Sequence, residues 1–397
     1  MTRLRGASPD AVREALATAT PLSGSDGFAG LLRNPPTADG PALVRDVLGR
    51  EPLFVEADQA ESLAAPESAT DDDEGEDEYE NGNGAWSFDP TDLDDPRSVP
   101  AGAVLTRTGG RQALALPDPP AAEPTDAMDA VESALTEATT AVGANADADG
   151  LAVAFSGGVD SALVAGGVPD APCYVAGFEG CHDVAAARDA AAEMDRDLRV
   201  VEITHEDLRR AVPELVAATG RRNPMDLNIA LPLYLTAEAV AADGYDRLAL
   251  GQGADELFGG YSKVVEPEDD DRVAAETVRG ARTETVRTLP DQLERDVLAL
   301  RAAGVEPVTP LLADVVVDAA LRLPEGLLAT PGERKIALRR AAAGDVPESV
   351  RTADKKAVQY GTYVSRELDR LARQAGFKRR MDDHVGQYVD ALVAGDV

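Results

Sequence analysis

The sequence is poor in cysteine and histidine, so we expect neither a fold held together by disulfides nor one held together by structural zinc. Of 397 residues, two are cysteines and three are histidines. Cys173 and Cys181 are too few for a disulfide framework and form no ligand-spaced cluster with the histidines, so structural zinc is not expected. No run approaches the ~20 apolar residues that span a bilayer, and the first residues do not resemble a signal peptide. We therefore expect a cytoplasmic protein that binds no membrane.

Positive charge is also scarce. The chain has 72 acidic and 38 basic residues, a net charge of −34, and only five lysines. Such a surface repels nucleic-acid phosphates, so nucleic-acid binding is not expected. The acidic residues are spread along the whole chain, and this self-repulsion is tolerable where salt shortens the Debye length to ~3 Å at 1 M. The composition favours a halophile's protein over one that attracts a basic partner.

Acidic residues are densest in one segment near the N-terminus. Residues 57–86 include the run Asp71-Asp-Asp-Glu-Gly-Glu-Asp-Glu78, which is too charged and too poor in apolar groups to pack. We predict a disordered insertion there, within a small α+β region. Pro117-Asp-Pro-Pro120 resembles a linker, so the predicted domains are residues 1–125 and 126–397.

From residue 126 the chain alternates between helices and apolar strands. Strands that are apolar throughout and separated by helices pair in parallel, with both faces covered. The expected fold class is therefore α/β, a doubly wound parallel sheet, followed beyond Tyr261 by helices only. The predicted strands lie at 151–155, 173–178, 198–203 and 247–250, and the predicted helices at 128–142, from 160, at 184–194, 206–219 and 230–242.

The segment Ser156-Gly-Gly-Val-Asp-Ser161 directly follows a predicted strand and opens a helix, which is the context of a phosphate-binding loop. Its glycines let the backbone approach an oxyanion, and its serines can donate to phosphate oxygens at a helix N-terminus. The carboxylate of Asp160 can lie next to a phosphate only if a cation bridges the two groups. Mg²⁺, which binds carboxylate and phosphate oxygens, is the expected cation. An ordinary strand–turn–helix corner would show the same two glycines.

A second glycine-rich, acidic loop favours the phosphate-binding interpretation. Gly251-Gln-Gly-Ala-Asp-Glu-Leu-Phe-Gly-Gly-Tyr261 follows another predicted strand. In a parallel sheet, both loops lie at strand C-terminal ends, where ligands bind. Asp160 and Asp255 could then share one Mg²⁺–pyrophosphate unit.

Together the two loops resemble the pyrophosphate loop and the Gly-x-Gly-x-Asp-Glu-x-Phe-Gly-Gly-Tyr segment of asparagine synthetases and their relatives, including β-lactam synthetases. The resemblance covers most of 126–365 and implies a sheet of the adenine-nucleotide α-hydrolase type with a helical C-terminal part. Further segments that look like this family are Val175–Asp183, similar to its adenine-contacting strand, Asn228–Tyr234, similar to its substrate-side helix, and Gly304–Leu312, Lys335–Arg340 and Pro347–Gly361.

The resemblance implies an ATP-dependent amide ligase. Such an enzyme adenylates a carboxylate, releases pyrophosphate and transfers the acyl group to ammonia or an amine; aspartate and free ammonia are the default pair. Lys355 aligns with the family's catalytic lysine, and a fixed ammonium would stabilise the charge that builds in both steps. Gln252 and Glu256 are the other predicted catalytic residues. The predicted ATP- and pyrophosphate-binding residues are Ser156, Gly157, Gly158, Val159, Asp160, Ser161, Ala176, Gly251 and Gly253, with Asp160 and Asp255 as Mg²⁺ ligands.

Two departures from the family leave the substrates open. Many asparagine synthetases have Gly-Glu-Gly where this chain has Gln252 between glycines. A glutamate can accept a proton from the attacking ammonia, whereas a glutamine can only hydrogen-bond. Val308 also replaces the family's arginine after Glu306. Another carboxylate and amine pair is therefore the second hypothesis, and a non-catalytic nucleotide-binding scaffold is the third.

The N-terminal region resembles the family's glutaminase domain only in pieces, at 43–54 and 98–105. That domain needs an N-terminal cysteine, whose own amino group serves as base. Here Thr2 and Arg3 follow Met1. We therefore predict a degenerate region without glutaminase activity, and a homodimer or a separate ammonia source stays open as a partner.

Overall fold

The computed structural model describes residues 2–38, 40–58, 86–106, 109–144, 150–353 and 360–397. Most of the insertion predicted at 57–86 lies outside these residues, and so does Lys355.

The N-terminal region contains two antiparallel sheets and a helix, α1 (Pro9–Thr18). Its strands are β1 (Arg3–Arg5), β2 (Ala29–Leu32), β3 (Ala42–Arg45), β4 (Phe54–Glu56), β5 (Trp86–Ser87), β6 (Pro96–Ser98), β7 (Ala103–Thr106) and β8 (Gly109–Gln112). One sheet has the order β1–β2–β3–β7–β8 and the other β5–β4–β6. This is the small α+β region that the sequence predicted.

A doubly wound parallel sheet follows helix α2 (Pro124–Ala144). Its strands are β9 (Leu151–Ala154), β10 (Cys173–Gly177), β11 (Leu198–Glu202), β12 (Arg247–Ala249) and β13 (Glu306–Val308). Neighbouring strands are all parallel, in the order β11–β10–β9–β12–β13. The chain thus winds from β9 to one edge and then to the other, which places a ligand crevice at the carboxyl ends of β9 and β12. The predicted α/β class is confirmed.

The central strands β9, β10 and β12 are mostly buried on both faces, as their apolar residues require. In β9, Leu151 and Val153 belong to one apolar core while Ala152 belongs to another. Successive side chains of a strand point to opposite faces, so each face has its own core. The sheet is therefore a rigid central layer that fixes where its loops begin.

Beyond Tyr261 the prediction of helices only was wrong, because β13 completes the parallel sheet. This strand is three residues long, contains Pro307 and is exposed at Glu306. A short edge strand that pairs on one side tolerates proline and charge, so it lacks the apolar run of a central strand. A small hairpin, β14 (Ala329–Thr330) with β15 (Glu333–Arg334), follows later.

The remaining helices surround the sheet and form the C-terminal part. Helix α6 packs on both α9 and β10 and so walls the crevice on one side. None of the helices in the described ranges is both long and apolar enough to cross a membrane. The helices are α3 (Val159–Gly167), α4 (His182–Glu193), α5 (His205–Thr219), α6 (Pro224–Ala242), α7 (Ala254–Phe258), α8 (Val278–Val286), α9 (Leu289–Ala302), α10 (Asp314–Leu321), α11 (Glu325–Leu328), α12 (Ile336–Ala341), α13 (Glu348–Arg351), α14 (Tyr360–Gln374) and α15 (His384–Ala394).

The N-terminal region is joined to the rest of the chain by buried ion pairs. Arg50 lies 2.9 Å from Asp46 and 2.7 Å from Asp314 at the start of α10, and its side chain is 3% exposed. It also donates to the carbonyl of Leu312. The largest apolar core includes side chains from both regions. The boundary at residue 125 stays a prediction, since this core does not stop there.

The charge of −34 predicts that stability depends on salt. We expect the thermal midpoint to rise steeply with KCl, because screening relieves the repulsion that opposes the compact state. The measurement is a melt across KCl concentrations, with sucrose at equal osmolality as the uncharged control. A midpoint that does not change with KCl would contradict the halophile interpretation.

Candidate active site

The first predicted loop connects β9 to α3 and is shaped by a glycine that nothing else could replace. Gly157 has φ +69°, and a Cβ there would lie 2.8 Å from the backbone of Ala186 and Ala187. The Ser161 hydroxyl accepts from the N–H of Ser156 and donates to the carbonyl of Gly158. The N-cap residue of α3 is Gly158, which has no side chain to cap the helix. Helix N-termini of this kind bind anions.

The second loop, after β12, packs directly on the first. A Cβ on Gly251 would lie 2.9 Å from the Cβ of Asp160, and one on Gly253 would lie 2.3 Å from the side chain of Leu312. Only glycine allows this approach. The loop also begins beside β13, because the N–H of Leu250 donates to the carbonyl of Val308. The two loops therefore form one continuous surface.

Asp160 and Asp255 converge on a single cation, the ammonium of Lys335. Its Nζ lies 2.6 Å from Oδ2 of Asp160 and 2.7 Å from Oδ1 of Asp255. Burial alone would lower the pKa of Lys335, but the two carboxylates outweigh burial and raise the pKa above its ordinary value. The lysine is thus charged, and its one charge is shared by two carboxylates.

Lys335 itself stands in an uncommon backbone conformation. It has φ +57° and directly precedes α12, and it is 8% exposed. A non-glycine residue in the left-handed region costs ~1–3 kcal/mol and is found where the surroundings hold it in place. Here the two carboxylates and burial hold it. Sequence reasoning placed Lys335 in a family-like segment without a role, although it is one of only five lysines in the chain.

The chemistry of this cluster fits a magnesium–phosphate unit. Among the described residues there is no group of three or more histidine, cysteine or acidic side chains able to hold a metal alone. Mg²⁺ in nucleotide sites is usually held by one or two carboxylates and completed by phosphate oxygens and water. Asp160 and Asp255 supply two such carboxylates at one point. Their assignment to Mg²⁺ stays a prediction.

A cavity of about 420 Å³ opens beside the two loops. It is bounded by the ends of β9, β10 and β12 and by one face each of α6 and α9. Gly157, Gly158 and Val159 belong to the first loop but lie outside its lining. The predicted site residues that line it are Ser156, Asp160, Ser161, Ala176, Gly251, Gln252, Gly253, Asp255 and Glu256.

Glu256 is held in the cavity wall by Tyr261. The Tyr261 hydroxyl donates to Oε1 of Glu256 at 2.5 Å. Burial raises the pKa of Glu256, because the charged form loses its water. Burial and the neighbouring Glu256 raise the pKa of Tyr261 as well. The carboxyl group of Glu256, which lies in α7, and the phenol of Tyr261, which follows this helix, thus form a hydrogen-bonded pair in the cavity wall.

Gln252 faces a carboxylate that sequence reasoning missed. Its Nε2 lies 2.5 Å from Oδ2 of Asp296, whose Oδ1 accepts from Arg295. Burial raises the pKa of Asp296, against the opposing charge of Arg295. Arg295 and Asp296 both lie in α9 and line the cavity. The available signal was Glu294-Arg-Asp296, three consecutive charged residues inside a helix that is otherwise apolar on this side.

Known proteins show similarity over the same part of the chain. The family model described as Asparagine synthase matches residues 131–285 and 266–393. A Methanocaldococcus jannaschii protein named as a glutamine-hydrolysing asparagine synthetase is 26% identical over 283 residues, 62% of this chain and 51% of that protein. Asparagine synthetase B of Escherichia coli is 24% identical over 50% of this chain and 35% of its own length. The chain thus spans about half, or less, of the length of these relatives.

The similarity to a solved structure is weaker. NAD+ synthetase from Burkholderia pseudomallei matches 66% of this chain and 94% of its own, with 16% identity and a TM-score of 0.22. This likeness is too distant to inform the site.

Proposed function

The chain belongs to the asparagine synthase family, and from that premise we propose that it adenylates a carboxylate with ATP and transfers the acyl group to ammonia or an amine. One observation carries the proposal. Asp160 and Asp255, from loops after two adjacent strands, meet one buried cation at the edge of a cavity of about 420 Å³. ATP would lie with its phosphates toward this cluster.

The charges of the cluster indicate how ATP is held. Lys335 contributes one positive charge against two carboxylates, so the cluster is net negative and would repel a triphosphate. Mg²⁺ held by Asp160 and Asp255 would reverse that sign and neutralise phosphate charge. The ammonium of Lys335 is then free to donate to phosphate oxygens. Ser156 and the N-terminus of α3 would supply further donors.

The proposed reaction has two half-reactions that share one acyl group. In the first, a carboxylate oxygen attacks the α-phosphorus of ATP and pyrophosphate leaves. In the second, the amine nitrogen attacks the acyl carbon, a C–N bond forms and AMP leaves. Lys355 is proposed to stabilise the charge of both transition states. Gln252 and the Glu256–Tyr261 pair line the cavity beside the second loop, and the amine is proposed to approach from there.

The carboxylate is proposed to be aspartate, with free ammonia as the nucleophile. A different pair is the alternative, because Gln252 cannot accept a proton and Val308 cannot pair with a carboxylate. Val308 of β13 pairs with Ala249 of β12, beside the start of the second loop. The N-terminal region is proposed to hydrolyse no glutamine, since residues 1–125 contain no cysteine.

Exchange of labelled pyrophosphate into ATP tests the proposal. We expect exchange in concentrated KCl with Mg²⁺ and one of a series of carboxylates, aspartate first. Asp255→Asn should abolish exchange while the protein remains folded, because the phosphates lose their shared cation. Asp270→Asn is the matched control, since Asp270 pairs with Arg272 outside the cavity. Full exchange by Asp255→Asn would contradict the shared cation, and ATP binding without exchange for any carboxylate would favour the scaffold.

A further inference from the structure

A chain of alternating charges connects the cavity with the N-terminal region. It begins at Arg45 in β3, whose side chain is 2% exposed. Nη1 of Arg45 lies 3.3 Å from Oε2 of Glu294, and the hydroxyl of Ser98 donates to the same oxygen at 2.5 Å. The other oxygen of Glu294 accepts from Arg221 at 3.2 Å. A glutamate of α9 is thus held by residues of β3 and β6.

The same charges continue to Gln252. Arg221 lies 3.5 Å from Asp226, and Asp226 lies 3.1 Å from Arg295. Arg295 lies 2.7 Å from Asp296, which accepts from Nε2 of Gln252. Each link joins opposite charges or a charge and an amide, and most of the members are buried.

The Gln252 amide is oriented by this arrangement. A carboxylate can only accept, so Nε2 faces Asp296 and Oε1 faces away. Oε1 is buried and has no hydrogen-bond partner within the described ranges. A buried carbonyl oxygen without a partner costs free energy unless a ligand supplies a donor. An N–H of the attacking amine is such a donor.

We propose that Asp296, and through the charge chain Arg45, position the Gln252 amide so that its carbonyl oxygen binds the amine in the second half-reaction. This rests on the proposed function. It gives the N-terminal region a role that needs no glutaminase nucleophile: Arg45 and Ser98 hold the amine side of the cavity in place. Removing one partner of a buried ion pair leaves an uncompensated charge, and the neighbouring groups must rearrange.

Kinetics of Arg45→Met separate positioning from general stability. With aspartate, or the carboxylate that supports exchange, and ammonium chloride as amine, KM for ammonium should rise about tenfold. That is the factor expected when one well-oriented hydrogen bond is lost. Pyrophosphate exchange should change less than about twofold, because Asp160, Asp255 and Lys335 are not members of the series of ion pairs that connects Arg45 with Gln252. In a Gln252→Ala background, Arg45→Met should raise KM no further, since coupled residues are not additive.

Arg50→Met is the matched control. Arg50 is an equally buried N-terminal arginine with two carboxylate partners, but neither leads to Gln252. It should lower the thermal midpoint and leave KM for ammonium unchanged. Ser98→Ala is the milder variant if Arg45→Met does not fold, and it should raise KM in the same direction.

The outcomes distinguish the two proposals. An unchanged KM in Arg45→Met and Ser98→Ala, or an equal loss of exchange and amine transfer, would overturn the positioning role alone. No exchange in the unaltered protein with any carboxylate would overturn the proposed ligase and this inference with it.

Discussion

Lys335→Ala is expected to reduce pyrophosphate exchange by ~10²–10³ or more, the usual effect of removing one preorganised charge partner. The substitution leaves Asp160 and Asp255 facing each other without their cation, at the point where ATP is proposed to place its phosphates. The loss should appear both as weaker ATP binding and as a lower exchange rate. Both quantities are measurable by titration with ATP at saturating Mg²⁺.

The control for this substitution is Lys263→Ala. Lys263 belongs to the segment after the second loop, and its ammonium lies 5.6 Å from the centre of the Tyr261 ring, not against the two aspartates. We expect exchange to change little. If Lys335→Ala retained full exchange, the lysine would be a structural counter-ion and the phosphate site would have to lie elsewhere in the cavity.

Lys355→Ala is expected to lower turnover by ~10²–10³, or roughly 3–4 kcal/mol in the barrier, while ATP affinity changes little. The reason is that the two loops and Lys335 are proposed to hold the phosphates, whereas Lys355 is proposed to act on charge that develops only in the transition states. Single-turnover rates and ATP dissociation constants separate these effects.

The neighbouring Lys356 provides a control of the same residue type. Adjacent side chains rarely point into one site, so Lys356→Ala should be nearly silent. Equal damage from both substitutions would mean that the family alignment has misplaced the lysine. ATP affinity therefore separates the two lysines: Lys335→Ala should weaken ATP binding, whereas Lys355→Ala should lower the rates of both half-reactions with ATP affinity nearly unchanged.

The parallel sheet and its two loops could be predicted because their signals are local. Each central strand is a short apolar run, and each loop follows its strand within a few residues. Strand β13 could not be predicted in this way, since an edge strand with Pro307 and an exposed Glu306 carries no such run. Its place is decided by pairing with β12, more than fifty residues earlier in the chain.

The candidate site was predictable where it is made of loops and not where it is made of distant side chains. Lys335 meets Asp160 across 175 positions, and Asp296 meets Gln252 across 44. No spacing rule describes such contacts, because they depend on how α9 and α12 pack on the sheet. The family resemblance indicated both loops but gave Lys335 no role and did not include Asp296.

The shared apolar core makes the fold of the sheet region depend on the N-terminal region. Gly49 packs so closely that a Cβ would lie 3.0 Å from Pro290 of α9, and Val12 and Leu48 belong to the same core as Val317 and Leu321. A fragment that began at the linker would expose this apolar surface and the carboxylates of Glu294 and Asp314, and would tend to aggregate. The N-terminal region is therefore part of the packed structure of residues 126–397, and its removal is expected to destabilise them.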